Sequence, residues 1–373
     1  MIGWINKIAV GLFFAALILF AWANRSGKFA VRPFDHGSVL KPLSESEPLK
    51  PDQMDVRIGI FAENIYGYDI STQSVAAEGW LWVTWPEAFQ KFLEEDDVTI
   101  DKVIAPINQV NSWDAVLKPA YGVPVRLPDG RYYQLISFSC RFYVDNLDLH
   151  RYPFETLTVP IAFGPNLLNE HFGSGKVRFV GDSNQSGVGP YVDIIGYATD
   201  HFQMRSYRQH YPSGFGLRGT DGHGDTDFGQ VRLEVTYKKS GFASMMHLIL
   251  PLIVVMLIVI LAPNLAASLW DVRIAIPSTA LLTLAFLQQT YRASIPPLPY
   301  LTYLDQIYGV CYVVTFGLFV LFVWSSNKLD GASEDEKPAL IARLNRIDSR
   351  VQWFFIFFMI ITTVLNWYFP LKY

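Results

Sequence analysis

Six residues in and just after the apolar stretch 274–291 recur at helical spacings of four and three, so they share one face of a helix. They are Ala275, Thr279, Leu282, Phe286, Gln289 and Ala293. Thr279 and Gln289 are polar, whereas Leu282 and Phe286 between them are bulky and apolar. If several copies surrounded an axis, this face would give polar rings separated by hydrophobic constrictions that can close by dewetting. The pattern predicts the lining of an ion pathway, with Leu282 and Phe286 as its gate.

Charged residues flank this stretch. Asp271, just before the predicted helix, would add a ring of carboxylates at the inner mouth of such a pathway and so favour cations. Arg292 near the outer mouth would repel cations, and Arg273 is expected to point away from the axis. Because the narrower end normally decides selectivity, we assign it to Asp271 and expect cations. The alternative is that Thr279 and Gln289 satisfy one another within a bundle and that Asp271 caps the helix.

The helix that carries this face is one of four predicted membrane spans in a transmembrane domain at 242–373. The composition is 51% hydrophobic, which is typical of a membrane protein. Since non-helical backbone cannot face lipid, all four spans must be helices, and together they predict an all-α four-helix bundle. The spans are about 245–263, 274–291, 308–324 and 351–369, with a linker at 325–350.

The first residues have the pattern of a signal peptide. A short region with Lys7 precedes an apolar core and then the small-x-small sequence at Ala21 to Ala23. We predict a signal peptide at 1–23, with an uncleaved anchor as the alternative, and an extended leader at 24–53. Four crossings then return the C-terminus to the outer side and leave the linker in the cytoplasm, where its five Lys and Arg residues agree with the positive-inside rule. The expected location is a bacterial inner membrane.

Residues 54–241 alternate between polar and apolar side chains in short runs, such as "DVRIGIF", "YYQLISFSCRFYV" and "QVRLEVTY". Turn signals separate the runs, including Asp129-Gly130. No stretch of this region is typical of a long helix. The pattern predicts an all-β, immunoglobulin-like sandwich on the extracellular or periplasmic side.

Several functions are disfavoured by the sequence. A net charge of -4 with interspersed signs lacks the basic stripe of a nucleic-acid binder. Two cysteines cannot form a disulfide framework or a metal cluster. No phosphate loop or nucleophile motif is found, so we expect neither an enzyme nor a cofactor. The acidic clusters 94–97 and 221–227 are interpreted as solvated turns, with a proton or divalent cation as the alternative trigger.

Three motifs, in their order along the chain, give the sequence a family resemblance. They are "GWLWVTWPE" from Gly79, "RYPFETLTVPIAFG" from Arg151 and "SIPPLPYLTYLD" from Ser294. With the predicted sandwich and four spans, the chain resembles the pentameric ligand-gated ion channels, in their prokaryotic form. Asp145 and Val159 stand where animal members carry the bridging cysteines.

The resemblance implies a homopentamer in which five second spans line the pore, so each chain has four identical subunits as partners. Further partners would be membrane lipid, permeant cations, and a small-molecule or ionic ligand bound between neighbouring sandwiches. The principal face would use loops near 111–113, 163–166 and 207–215, and the complementary face two strands. The implied ligand-binding residues are Trp80, Trp82, Trp113, Tyr133, Asn166, Tyr207 and Tyr211. Because Asn166 replaces an aromatic residue, the cage that would hold a quaternary ammonium is incomplete.

The resemblance also implies a coupling site where the sandwich meets the membrane domain. Its residues would be Asp69, Tyr152, Pro153, Phe154, Glu155, Lys239, Pro296, Pro299 and Tyr300. The expected function is therefore a ligand-gated ion channel. The competing hypothesis is a membrane-anchored receptor or transporter accessory protein that binds solute without conducting ions.

Overall fold

The computed structural model describes residues 39–44, 53–145, 147–166, 177–212 and 226–368. The predicted signal peptide at 1–23 lies outside the described residues. The chain divides into two compact units. The β-rich unit contains Phe34–Leu147 and Thr156–Lys239, and the helical unit contains Asp148–Glu155 and Ser240–Tyr373. The segment Asp148–Glu155 therefore belongs with the helices, although the sequence pattern includes it in the sandwich region.

The β-rich unit contains twelve strands among the residues that the structure describes, and the predicted alternating runs all lie in them. The strands are β1 Val39–Pro42, β2 Met54–Asp69, β3 Ser74–Trp85, β4 Ile104–Pro106, β5 Val116–Pro119, β6 Val125–Arg126, β7 Tyr132–Tyr143, β8 Thr156–Pro165, β9 Val177–Gly181, β10 Gly187–Tyr191, β11 Tyr197–Tyr211 and β12 Thr226–Lys239.

The strands form two sheets, of five strands in the order β1-β11-β12-β8-β4 and of seven strands along β10-β2-β3-β7-β5 with β6 and β9 at the side. The two sheets contribute to one hydrophobic core, which includes Val83 of β3, Phe163 of β8 and Val235 of β12. Alternation explains this core, because successive side chains of a strand point to opposite faces. Leu81, Val83 and Trp85 are fully buried, for example, whereas Trp80 directly before them faces outward. The architecture is β-sandwich-like.

Local turn chemistry fixes several of the connections. Gly130 has a φ of +84°, which the missing Cβ makes accessible, and the backbone N–H of Arg131 donates to Asp129 Oδ1 at 3.0 Å. This is the predicted Asp129-Gly130 turn into β7. The sequence did not indicate two short helices, α1 (Glu87–Glu95) and α2 (Ile100–Val103). Helix α1 buries its Phe89 and Leu93 against the core.

The leader predicted at 24–53 contains a strand. Residues 39–42 form β1, which pairs antiparallel with β11 at Tyr207 to His210, and the backbone N–H of Leu43 donates to the carbonyl of Ser206 at 2.8 Å. The segment is extended as predicted, but it is also part of a sheet. Residues 24–38 and 45–52 of the leader lie outside the described residues.

The helical unit has four helices that are long and apolar enough to cross a membrane: α3 (Gly241–Asn264), α4 (Trp270–Arg292), α5 (Tyr303–Asp330) and α6 (Lys337–Tyr368). The protein is thus a membrane protein, with a β-rich region followed by helices. The helices extend beyond the predicted spans, because helical backbone hydrogen bonds continue past the last residues of each apolar stretch. Asp271 consequently lies in the first turn of α4 rather than before it, and the linker predicted at 325–350 reduces to residues 331–336.

Candidate functional site

The segment Asp148–Glu155, which connects β7 to β8, packs on the ends of three helical elements. Its alternate side chains take different partners. The His150 ring stacks on Tyr300 at 3.9 Å between ring centroids, with only 5° between the ring planes. Tyr152 stacks with Tyr291 of α4 at 6.2 Å. The connection forms turns here, with the backbone N–H of Tyr152 donating to the carbonyl of Leu149 at 3.0 Å, and these turns present the two rings to the helical unit.

The third aromatic residue of this segment, Phe154, contacts α6. Its ring meets Trp367 edge to face at 5.7 Å, and the same indole meets Tyr303 of α5 at 5.2 Å. The Arg151 guanidinium lies 5.6 Å from the Trp367 ring, within cation-π range. Trp367 therefore joins Asp148–Glu155 to α5 and α6 at once.

Main-chain hydrogen bonds hold the same segment to the connection between α4 and α5. The backbone N–H of Tyr303 donates to the carbonyl of His150 at 2.8 Å, and that of Leu149 donates to the Tyr300 hydroxyl at 3.2 Å. Burial raises the pKa of Tyr300, so its hydroxyl keeps its proton at neutral pH. The segment and the α4–α5 connection must therefore move together or break these bonds.

Asp148 orders the beginning of the segment. Its Oδ1 accepts from the backbone N–H of His150 at 2.9 Å and lies 2.6 Å from the ring Nδ1 of the same residue. Burial acts to raise the pKa of Asp148, but these contacts with His150 outweigh it and hold the pKa below the ordinary value. An ionised Asp148 thus keeps the imidazole oriented for stacking on Tyr300.

The predicted coupling residues fall into two groups. Tyr152, Pro153, Phe154, Glu155, Pro296, Pro299 and Tyr300 all lie in the helical unit, and the Tyr152–Pro153 peptide bond is cis. Asp69 and Lys239 lie in the β-rich unit. Asp69 accepts from the backbone N–H of Ser71 and the Thr72 hydroxyl, which lower its pKa and fix the turn after β2. The Lys239 ammonium lies 5.7 Å from the Tyr197 ring.

Sequence reasoning missed four residues of this site: His150, Arg151, Tyr291 and Trp367. A signal for the first was available, since His150, Tyr152 and Phe154 form an alternating aromatic run. Trp367 had no local signal, because an aromatic residue at the end of a span is most often an interfacial anchor.

The predicted pathway face of α4 is open in the single chain. Its residues Asp271, Ala275, Thr279, Leu282, Phe286, Gln289 and Ala293 are all exposed. Leu282 and Phe286 keep 59% and 61% of their surface, whereas Ala280 and Leu284 on the opposite side are buried. Thr279 and Gln289 both lie on the exposed side, about 15 Å apart along the helix axis, too far to satisfy one another within the same chain.

Both arginines of α4 are paired with carboxylates. Arg273 is 1% exposed, and its Nη2 lies 2.5 Å from Oδ2 of the fully buried Asp348 of α6. It points away from the exposed face, as the sequence analysis expects. Arg292 differs from expectation: instead of standing free, it lies 2.7 Å from Asp305 Oδ2 of α5 and is only one-third exposed.

The predicted ligand-binding residues lie on both sheets. Trp80, Trp82 and Tyr133 face outward from the seven-stranded sheet. The Trp82 indole crosses Gly59, where a Cβ would stand 2.0 Å from its ring, and donates to Asp182 Oδ2 at 3.1 Å. The missing side chain at Gly59 therefore makes room for the indole, which the hydrogen bond then fixes.

The remaining ligand-binding residues require a correction. Tyr207 and Tyr211 lie within β11 rather than in a loop, and residues 213–215 of the predicted loop are outside the described residues. The Tyr207 hydroxyl donates to Glu234 at 2.6 Å, and burial followed by this bond raises its pKa. Asn166 follows β8, and Trp113 is 83% exposed in a 3-10 turn. Among the described residues, Trp80, Trp82 and Tyr133 thus belong to one sheet and Tyr207 and Tyr211 to the other.

The acidic clusters do not form a metal site where they are described. No group of three potential ligands is found in the parts of the chain that the structure covers, which include Glu94 to Asp97 at the end of α1. Residues 221–225 of the second cluster lie outside them. Asp145, at one implied cysteine position, instead pairs with Arg232 at 2.8 Å.

Comparison with known proteins leaves the function open. No protein-family model matches the chain, and no curated protein sequence matches it significantly. The architecture itself, β-sandwich-like sheets followed by four apolar helices, is compatible with a pentameric channel.

Proposed function

We propose that the chain is one subunit of a homopentameric, ligand-gated channel that conducts cations. The observation that carries this proposal is the exposed face of α4, on which the polar Thr279 and Gln289 flank the apolar Leu282 and Phe286. Polar and ionisable side chains are costly against lipid, so such a face is expected to meet water or other protein. Five copies around an axis give it a water-filled pathway.

Ligand binding opens this pathway through the segment Asp148–Glu155. The segment follows β7 and precedes β8 in the chain, so a change in those strands pulls directly on its ends. Its stacking on Tyr300 and Tyr291 passes the displacement to α4. A ligand achieves this only if it binds the open state more tightly than the closed one. It would bind between neighbouring chains, where the residues on the two sheets can face each other.

The remaining assignments follow from the same proposal. The channel lies in a bacterial inner membrane, with the β-rich unit and the C-terminus on the periplasmic side. Its trigger is a small molecule, a proton or a divalent cation. It is not an enzyme and needs no cofactor.

The test first measures the mass of the purified assembly and then the ion current that it carries. Detergent-purified protein should have the mass of five chains, and in planar bilayers it should give single-channel currents. Leu282→Ser should raise the open probability at least about tenfold, because a ring of apolar side chains that opposes wetting is removed. Leu257→Ser is the matched control, since Leu257 on α3 is comparably exposed at 53% but lies off the α4 face.

A monomer or dimer would overturn the proposal. A pentamer without current in wild type and both variants, across broad ligand and pH screens, would instead support a non-conducting receptor or accessory protein. Equal effects of Leu282→Ser and Leu257→Ser would contradict the assignment of the gate.

A further inference from the structure

We propose that Asp305 determines the cation preference of the outer mouth by holding the Arg292 guanidinium away from the pathway. This inference rests on the proposed channel function. Asp305 is a positioning residue in it, because it acts on passing ions only through Arg292. The pair explains how an arginine can be the last residue of the helix that carries a cation pathway.

The geometry of the pair is tightly defined. Arg292 is the last residue of α4, and its Nη2 lies 2.7 Å from Asp305 Oδ2. Asp305 is in the first turn of α5 and its side chain is 2% exposed, whereas that of Arg292 is 33% exposed. The negative partner is therefore buried and the positive partner is one-third exposed to solvent, so a released guanidinium has water to enter.

A capping box fixes the carboxylate that holds Arg292. Both the backbone N–H and the hydroxyl of Thr302 donate to Asp305 Oδ2, at 3.0 and 2.9 Å, and the backbone N–H of Asp305 donates to the Thr302 hydroxyl at 3.1 Å. The N-terminal dipole of α5 also favours a negative charge there. Asp305 cannot rotate to follow Arg292, so the guanidinium stays where the carboxylate is.

Arg292 is close enough to the exposed face of α4 to matter if it is released. It lies three residues after Gln289, about 60° around the helix from it. Arg273 behaves differently, because it follows Asp271 by two residues and so lies about 200° around, on the buried side. Releasing Arg292 would add a positive ring to the outer mouth, whereas releasing Arg273 would not bring its charge onto the exposed face.

The experiment compares single-channel conductance and the reversal potential in a NaCl gradient. Asp305→Asn keeps the shape and a capping oxygen but removes the charge that holds Arg292. Five freed charges, each on the order of 10 Å from the ion and partly screened, should lower cation conductance about threefold. Arg292→Gln combined with Asp305→Asn should restore the wild-type value. Gln289→Arg places an unpaired arginine on the exposed face and checks that the assay detects such a ring.

The outcomes separate this inference from the channel proposal. Absence of wild-type current contradicts the channel itself. If wild type conducts, equal conductance of wild type and Asp305→Asn overturns the inference, provided that Gln289→Arg lowers it. If Asp305→Asn does not assemble, the double variant Arg292→Gln with Asp305→Asn decides. A conductance equal to that of wild type supports the inference that Asp305 neutralises Arg292. A conductance about threefold above wild type shows that Arg292 already repels cations and overturns the inference.

Discussion

Arginine stands near both ends of α4, but the two ends are held by different kinds of contact. At the Trp270 end, Arg273 and Asp348 are both buried, and the guanidinium also lies 4.3 Å from the Phe322 ring. At the other end Arg292, which is one-third exposed, pairs with the buried Asp305, and stacked aromatic rings lie beside them.

The two ends of α4 differ in how freely each can move while the protein stays folded. A buried ion pair that loses its geometry leaves uncompensated charges in an apolar surrounding, so it has one favourable arrangement. Stacked rings can slide past each other at little cost, since each pair contributes only about 0.5–1.5 kcal/mol beyond its buried area. For the proposed channel, we infer that the Trp270 end of α4 is the fixed end and that gating motion occurs at the Arg292 end.

The largest expected effect is at the fixed end. Asp348→Asn leaves Arg273 buried without a counter-charge, which should lower the free energy of unfolding by about 3–5 kcal/mol. Thermal unfolding of the detergent-purified protein measures this loss. The control is Arg273→Met combined with Asp348→Leu, which removes both charges and should unfold near the wild-type temperature. An unchanged unfolding temperature of Asp348→Asn would show that the pair does not secure this end.

A smaller effect is expected at the mobile end. Phe154→Ala and Trp367→Ala each remove the same edge-to-face contact, so each should change the open probability by at least about fivefold, equivalent to about 1 kcal/mol, while the pentamer stays assembled. Trp367→Ala should have the larger effect, because it also removes the contacts with Tyr303 and Arg151. Single-channel recording under one fixed activating condition measures this change. Trp353→Ala is the matched control, because Trp353 is also an α6 tryptophan, 57% exposed, whose ring lies tilted against Phe357 of its own helix at 6.0 Å.

If Trp353→Ala changed the open probability as much as Trp367→Ala, the effect would belong to any α6 tryptophan. The contrast between the two ends of α4 would then lose its basis. The same variants should leave ligand binding largely intact. Lost binding with normal gating would contradict the coupling role of Phe154.

The smallest effect concerns pH. Because the folded-state pKa of Asp148 lies below its ordinary value of 3.8, its ionised form stabilises the folded protein at pH values above about 4. This contribution is lost as the pH falls through the lowered pKa. Unfolding temperatures of wild type and Asp148→Asn should therefore differ slightly at pH 7 and converge near pH 3. A constant difference across this range would show that ionisation of Asp148 does not contribute to the stability of the fold.

The elements of the fold could be predicted from the sequence because their periodicity appears in it directly. Side chains alternate along β3 and β7, and membrane thickness sets the length of the apolar stretches. The helices are longer than the spans predicted at Asp271 and in the linker, because helical turns continue beyond the hydrophobic part. β1 was missed as a strand because an edge strand needs only its backbone, and its composition carries no alternation.

The site was predictable where residues share one element and not where they meet from different ones. The exposed side of α4 follows from the spacing of Thr279 and Phe286 alone. The partners of Arg292 and Phe154, by contrast, stand on other helices, and their proximity depends on packing that has no local pattern. Arg292 is therefore predicted from the sequence to repel cations, and nothing in the sequence distinguishes Trp367 from an interfacial anchor.

The strand β1 also bears on how the protein can be handled. It covers the main-chain donors and acceptors of β11 from Tyr207 to His210. A shortened chain that starts at Gln53 would present this edge of the five-stranded sheet uncovered, and open edges recruit strands from other molecules. Aggregation of such a shortened chain would then report a lost edge strand, with the sandwich core itself intact.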